Sequence, residues 1–196
     1  MLKTWTVRNF KSIRDETLLD LAALTVFAGA NSSGKSTLLQ SILLTAQTLG
    51  NPVSTREVVL NGRILRLGGL NDLGSHKAGQ SGHVDPITIG FSYSNSSPDP
   101  RVMRASRYSP ITTDVYNDIL RSIRCSYTFS TDPNATTTEQ SNLQPIVLHC
   151  KLQAIYRIKT SDGNVEEIES SVSVSRSTHT PQERAQIFEL NYNSLS

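Results

Sequence analysis

"LTVFAGANSSGKSTLLQSILLTAQTL", residues 24–49, holds three pieces in succession. The compact apolar run Leu24–Ala28 reads as a buried central strand. A loop of small and polar residues follows. Then Leu38, Leu39, Ile42, Leu43, Ala46 and Leu49 recur at intervals of three and four, which predicts a helix from Ser36 to Leu49. Gly50, Asn51 and Pro52 stop it. The apolar positions cover more than one face, so this helix is expected to pack on both sides.

Within the loop, Gly29, Gly34, Lys35 and Ser36 fit the pattern G-x-x-x-x-G-K-[ST]. Glycines let the backbone curl so that successive N–H groups point inward at phosphate oxygens. The start of the helix adds partial positive charge behind them. Lys35 would bring an ammonium to the β- and γ-phosphates, and Ser36 a hydroxyl to Mg²⁺. Thr37 would stand near the α-phosphate. The expected cradle for ATP and Mg²⁺ is therefore Gly29, Ala30, Asn31, Ser32, Ser33, Gly34, Lys35, Ser36 and Thr37, with Ser36 as the metal's ligand. A chance match in a Ser/Gly-rich loop is the alternative, and the flanking strand and helix patterns argue against it.

Hydrolysis needs more parts: an apolar strand ending in Asp to hold the metal, and a carboxylate to position water. No apolar run followed by Asp-Glu occurs after the loop. Asp20 precedes the loop, Asp72 and Asp85 lie in Gly-rich sequence, and Glu166 and Glu167 read as an exposed strand edge. No catalytic residue is assigned.

Outward from this motif, "LKTWTVRNF" (2–10) reads as a first strand, with Trp5 and Val7 on one face and Thr6 and Arg8 on the other. A short second strand falls near Thr17–Leu19. Residues 58–85 have strand pieces around a turn at Asn61-Gly62, then a Gly-rich loop. In "PITIGFSY" (86–93), Ile87, Ile89, Phe91 and Tyr93 share a face. A short helix over Asp114–Leu120 is one reading of an ambiguous stretch. Later, Ile123 to Phe129 alternates, as does Ile146 to Ile158; Asp162-Gly163 turns the chain and Val165–Val174 returns. This pattern is an antiparallel meander with one polar face. "TPQERAQIFEL" (180–190) opens like a helix, with Thr180 and Glu183 as a capping box and Pro181 at its first position.

The length of 196 residues fits one domain, or one with an inserted subdomain. A net charge of +2 is too small to imply nucleic acid by itself. Cys125 and Cys150 lack metal-ligand spacing and read as two small buried hydrophobes in a reducing compartment. His76 and His83 have no third ligand beside them, and Arg101, Arg104 and Arg107 read first as a solvated face, with DNA contact the alternative. No apolar run approaches a membrane span and the N-terminus lacks a signal-peptide pattern, so a cytoplasmic location is expected.

The stretch "RNFKSI" (8–13), a second strand and then "FAGANSSGKSTLLQSI" (27–42) resemble the start of ABC-type, SMC-like ATPase heads. That group includes the OLD-family nucleases and Septu-like bacterial anti-phage ATPases. Its "NF+S" turn, where + is basic, matches Asn9, Phe10, Lys11 and Ser12. The similarity is densest over residues 1–50, continues to about 93, and is architectural beyond. It implies an α/β P-loop NTPase fold: a nucleotide-binding N-terminal lobe at 1–93, and an antiparallel β subdomain with the start of a helix at 94–196. It places Lys11 and Ser12 near the nucleotide. It also implies an ATP sandwich between two heads, a homodimer or higher oligomer, with DNA or a nuclease effector as further partners. The signature motif, metal-binding carboxylates and Q-loop glutamine of such heads have no convincing counterpart here, so this chain is expected to be the N-terminal half of a head. Three functions stay open: an ATPase head in anti-phage defence or DNA metabolism, the regulatory part of an OLD-type nuclease, and a nucleotide-sensing assembly module without hydrolysis.

Overall fold

The computed structural model describes residues 1–31, 33–51, 57–75, 85–94, 119–131, 145–159, 164–176 and 188–194. Their strands are β1 (Leu2–Arg8), β2 (Thr17–Asp20), β3 (Ile87–Ser94), β4 (Ile119–Ser130), β5 (Ile146–Lys159), β6 (Val165–Arg176) and β7 (Phe188–Ser194). They form one sheet in the order β2-β1-β3-β4-β5-β6-β7. Every neighbouring pair is antiparallel. A helix, α1 (Lys35–Leu49), and a short 3₁₀ turn at Leu70–Asp72 complete the described elements.

The alternation read from β1, β3 and β4 is what the sheet uses. Trp5 and Val7 point to the buried side, as do Ile87, Ile89, Tyr127 and Phe129. Trp5 stacks on Phe91 across the β1–β3 pair, and Tyr127 stacks on Phe129. The opposite face is hydroxyl-rich. Thr4 bonds Ser92 at 2.6 Å and Thr88 bonds Thr128 at 3.0 Å, both across strand pairs. Such cross-strand contacts hold register, because a slip of one residue would exchange the two faces.

Helix α1 lies on the apolar side of the sheet, with an unusual choice of face. Its buried residues are Thr37, Ser41, Leu44, Thr45 and Gln47, four polar side chains of five. Buried polar groups cost stability unless they are paired, and here each is. Ser41 Oγ accepts the Trp5 indole N–H at 2.9 Å and donates to the Leu38 carbonyl. Thr45 Oγ1 shares a 2.7 Å hydrogen bond with the Tyr127 hydroxyl. The Gln47 amide donates to the Val59 and Leu65 carbonyls, while its oxygen accepts from the Ile64 and Leu65 amides. Leu38 and Ile42 pack at the margin of the core.

Several expectations need correction. Leu24–Ala28 is no strand here: the run forms no β-ladder with any described residue, and Leu24 and Val26 are 81% and 77% exposed. A strand is buried by the elements on either side of it, and none of the described elements flanks this one. The second side of α1 is open for the same reason, leaving Leu39, Leu43 and Leu49 exposed. The strand pieces around Asn61-Gly62 reduce to a single bridge, Asn61 to Arg66, because Gln47 and Asn61 side chains take the backbone groups a ladder would use. At the end of the chain, Phe188–Leu190 belongs to β7 and not to a helix, its backbone paired to β6. Residues 180–187, like the Asp162-Gly163 turn, His76, His83, Arg101, Arg104 and Arg107, lie outside the described residues. So does 114–118; Ile119 and Leu120 begin β4. Among the described residues, no helix is long and apolar enough to cross a membrane.

Candidate nucleotide site

The site is built where β1 ends. Asn9 and Lys11 both adopt positive φ, 54° and 53°, a conformation uncommon for non-glycine residues. The surroundings hold them there. Asn9 Nδ2 donates to the Asp85 carbonyl at 2.5 Å, and its Oδ1 accepts from the Ser75 amide at 3.1 Å. Phe10 is fully buried. The Phe10 and Ile13 backbones exchange hydrogen bonds in both directions, and the Lys11 amide bonds the Leu73 carbonyl. The turn is thus pinned from within and from the 3₁₀ segment beside it.

That pinning sets Lys11 and Ser12 against α1. The Lys11 ammonium donates to Gln40 Oε1 at 2.8 Å, and Ser12 Oγ bonds Thr37 Oγ1 at 3.0 Å. Gln40 and Thr37 are three apart and share a helical face. The sequence analysis assigned Gln40 no role; its spacing from Thr37 was the available signal. Thr37 is buried, with its hydroxyl engaged by Ser12.

The loop ahead of α1 carries two glycines at positive φ, Gly29 at 150° and Gly34 at 89°. Gly34 is the N-cap residue in the left-handed region, where a side chain would be strained. A Cβ there would stand in van der Waals contact with Ser12 Oγ at 3.4 Å, so the constraint is the backbone conformation. The helix start has no side-chain cap and no acidic residue in its first turn, so carboxylates do not compete for its partial positive charge. Lys35 Nζ lies back over the loop, donating to the carbonyls of Gly29 (2.8 Å) and Ala30 (2.5 Å) and to Ser33 Oγ (3.3 Å). Ser36 is exposed, as are Ala30, Asn31 and Ser33, and Ser32 lies outside the described residues. The structure therefore brings the cradle residues and the turn residues Lys11 and Ser12 to one end of α1. An anion held there would draw on the partial positive charge of the helix start. Ser36's exposed hydroxyl is free to turn toward a cation held by that anion, which fits the donor chemistry Mg²⁺ prefers.

Three of the acidic side chains have partners away from the loop. Asp72 Oδ2 accepts the Gly69 amide, Glu57 pairs with Arg176, and Glu167 meets Arg121 and Arg157. No group of three or more His, Cys, Asp or Glu side chains able to hold a metal occurs among the described residues.

The sequence matches the AAA ATPase domain family over residues 1–193. No curated protein and no solved structure matches it. The match spans the cradle, the turn and all seven strands but for the last residue of β7, and it carries with it a nucleotide-binding ATPase function: this chain belongs to the AAA ATPase domain family.

Proposed function

We propose that this chain is the ATP-binding half of an ABC-type, SMC-like head acting in bacterial anti-phage defence or DNA metabolism. Gly29–Thr37 grips the phosphates of ATP, Ser36 ligates Mg²⁺, and Lys11 and Ser12 flank the nucleotide. A second lobe covers the Leu24–Ala28 run and the outer side of α1, and brings the carboxylates that position metal and water. Two heads then close on ATP and separate after hydrolysis, so that ATP acts through its stronger binding to the closed state.

The observation that carries this reading is the exposure of the apolar residues on each side of the cradle. Leu24 and Val26 before it, and Leu39, Leu43 and Leu49 after it, are all exposed. Apolar side chains left exposed on each side of the cradle are surface that a further element would cover. One observation favours a second reading, a nucleotide-sensing module without turnover: among the described residues, the side-chain hydrogen bonds of Lys35 run to carbonyls and a hydroxyl, none to a carboxylate. A regulatory role in an OLD-type nuclease would use the same site with a nuclease domain as effector.

Steady-state phosphate release by the purified chain tests this proposal. ATP should bind, with turnover at the buffer background until the second lobe is supplied. Turnover well above background in this chain alone, abolished by Lys35→Ala, would overturn the need for a second lobe.

A further inference from the structure

Two thiols meet on the side of the sheet that carries α1. In the β4–β5 register Tyr127 stands opposite Cys150, and Cys125 opposite Leu152. The two cysteines are therefore diagonal neighbours on one face. Both are free and half-buried. Sequence reading took them for two separate buried hydrophobes; only the register brings them together.

The geometry points to a reversible Cys125–Cys150 disulfide, formed by a hydroperoxide oxidant, that acts on α1 through Tyr127 and Thr45. Diagonal positions stand about 7–8 Å apart, more than the usual span of a disulfide. Closing the bond must therefore shift β4 and β5 against each other along the strand direction at this row. Tyr127 lies in that row, and its hydroxyl holds Thr45 of α1 at 2.7 Å. The same helix begins at Lys35. A strained, accessible disulfide is also the reducible kind, suited to reversal.

The two thiols have different tasks. Hydrogen bonding from Cys125 lowers the Cys150 thiol to about 7 against the opposing effect of burial, while the same contact, together with burial, pushes the Cys125 thiol up. Cys150 is then the thiolate that attacks. It displaces hydroxide, or alkoxide, from the peroxide O–O bond and becomes a sulfenic acid. The Cys125 sulfur attacks the sulfenic sulfur, the S–O bond breaks, and the Cys125 proton leaves with the hydroxide as water. Two electrons pass from the thiols to the peroxide.

The test is hydrogen peroxide treatment of the full chain, followed by peptide mapping and thiol counting. Both thiols should disappear together as one intramolecular disulfide, restored by dithiothreitol. In Cys125→Ser, Cys150 should instead be trapped as sulfenic acid, faster than Cys125 in Cys150→Ser. Absence of the intramolecular bond, or equal reactivity of the two single variants, would overturn the switch. The second arm rests on the nucleotide reading above: oxidation should change affinity for a fluorescent ATP analogue about fivefold or more, and not in Cys125→Ser. Unchanged affinity of the oxidised chain would overturn the coupling. Failure of reduced and oxidised chain alike to bind the analogue would overturn the nucleotide reading and the coupling together, leaving the disulfide result standing.

Discussion

Lys35→Ala should weaken ATP binding about 100-fold, a loss of about 3 kcal/mol, consistent with one or two charge-assisted contacts to phosphate. The variant should fold normally. Among the described residues, Lys35 Nζ bonds only to its own loop, to Gly29, Ala30 and Ser33, all at exposed positions. Thermal midpoints of variant and parent should agree within a degree or two without nucleotide, and only the parent should gain stability on adding Mg²⁺–ATP. Equal ATP stabilisation of both would remove Lys35 from the site.

The second large effect lies away from the cradle, at Gln47. This buried carboxamide makes four hydrogen bonds to the segment from Val59 to Leu65. Gln47→Ala leaves those backbone groups without their partner and should cost about 3 kcal/mol, read as a lower urea midpoint. Gly62 lies against the same carboxamide; a Cβ there would fall 2.6 Å from Gln47 Oε1. Gly62→Ala should therefore destabilise by about 2 kcal/mol. Combined with Gln47→Ala its cost should shrink, since the atom it strikes is gone. Full additivity would show that Gly62 is constrained by something else.

The same residues show what could be read beforehand. Strands β1, β3, β4, β5 and β6 were legible because each alternates against one polar face: the period of two is a property of the strand itself. The motif at Gly29–Thr37 was legible because its glycines, lysine and hydroxyls each answer a local requirement. Burial was not. Of the apolar positions picked out on α1, Leu38 and Ile42 pack at the core margin, but Leu39, Leu43, Ala46 and Leu49 are exposed, while the polar Thr37, Ser41, Thr45 and Gln47 are buried. Polar side chains can line a helix–sheet contact when their partners come from distant segments, as Trp5, Tyr127 and Val59 do. Those partners lie 36, 82 and 12 residues away, and none belongs to the helix whose periodicity is being read. Leu24–Ala28 fails for the complementary reason: an apolar run states that burial is wanted, not which element supplies it.

The contact between the turn and the helix was readable only in part. Asn9 to Ser12 could be matched as a motif, but the links from Lys11 to Gln40 and from Ser12 to Thr37 follow from two positive-φ residues held by Ser75 and Asp85. Nothing local in "RNFKSI" announces that conformation, since glycine is the residue that usually marks it.

The most direct measurement is a calorimetric titration of ATP into the full chain, with and without Mg²⁺. Saturable binding at one nucleotide per chain, strengthened by Mg²⁺ and lost in Lys35→Ala, is the expected result. A wild-type chain that stays folded yet gives no binding heat at millimolar ATP would contradict the assignment of Gly29–Thr37 as a phosphate cradle.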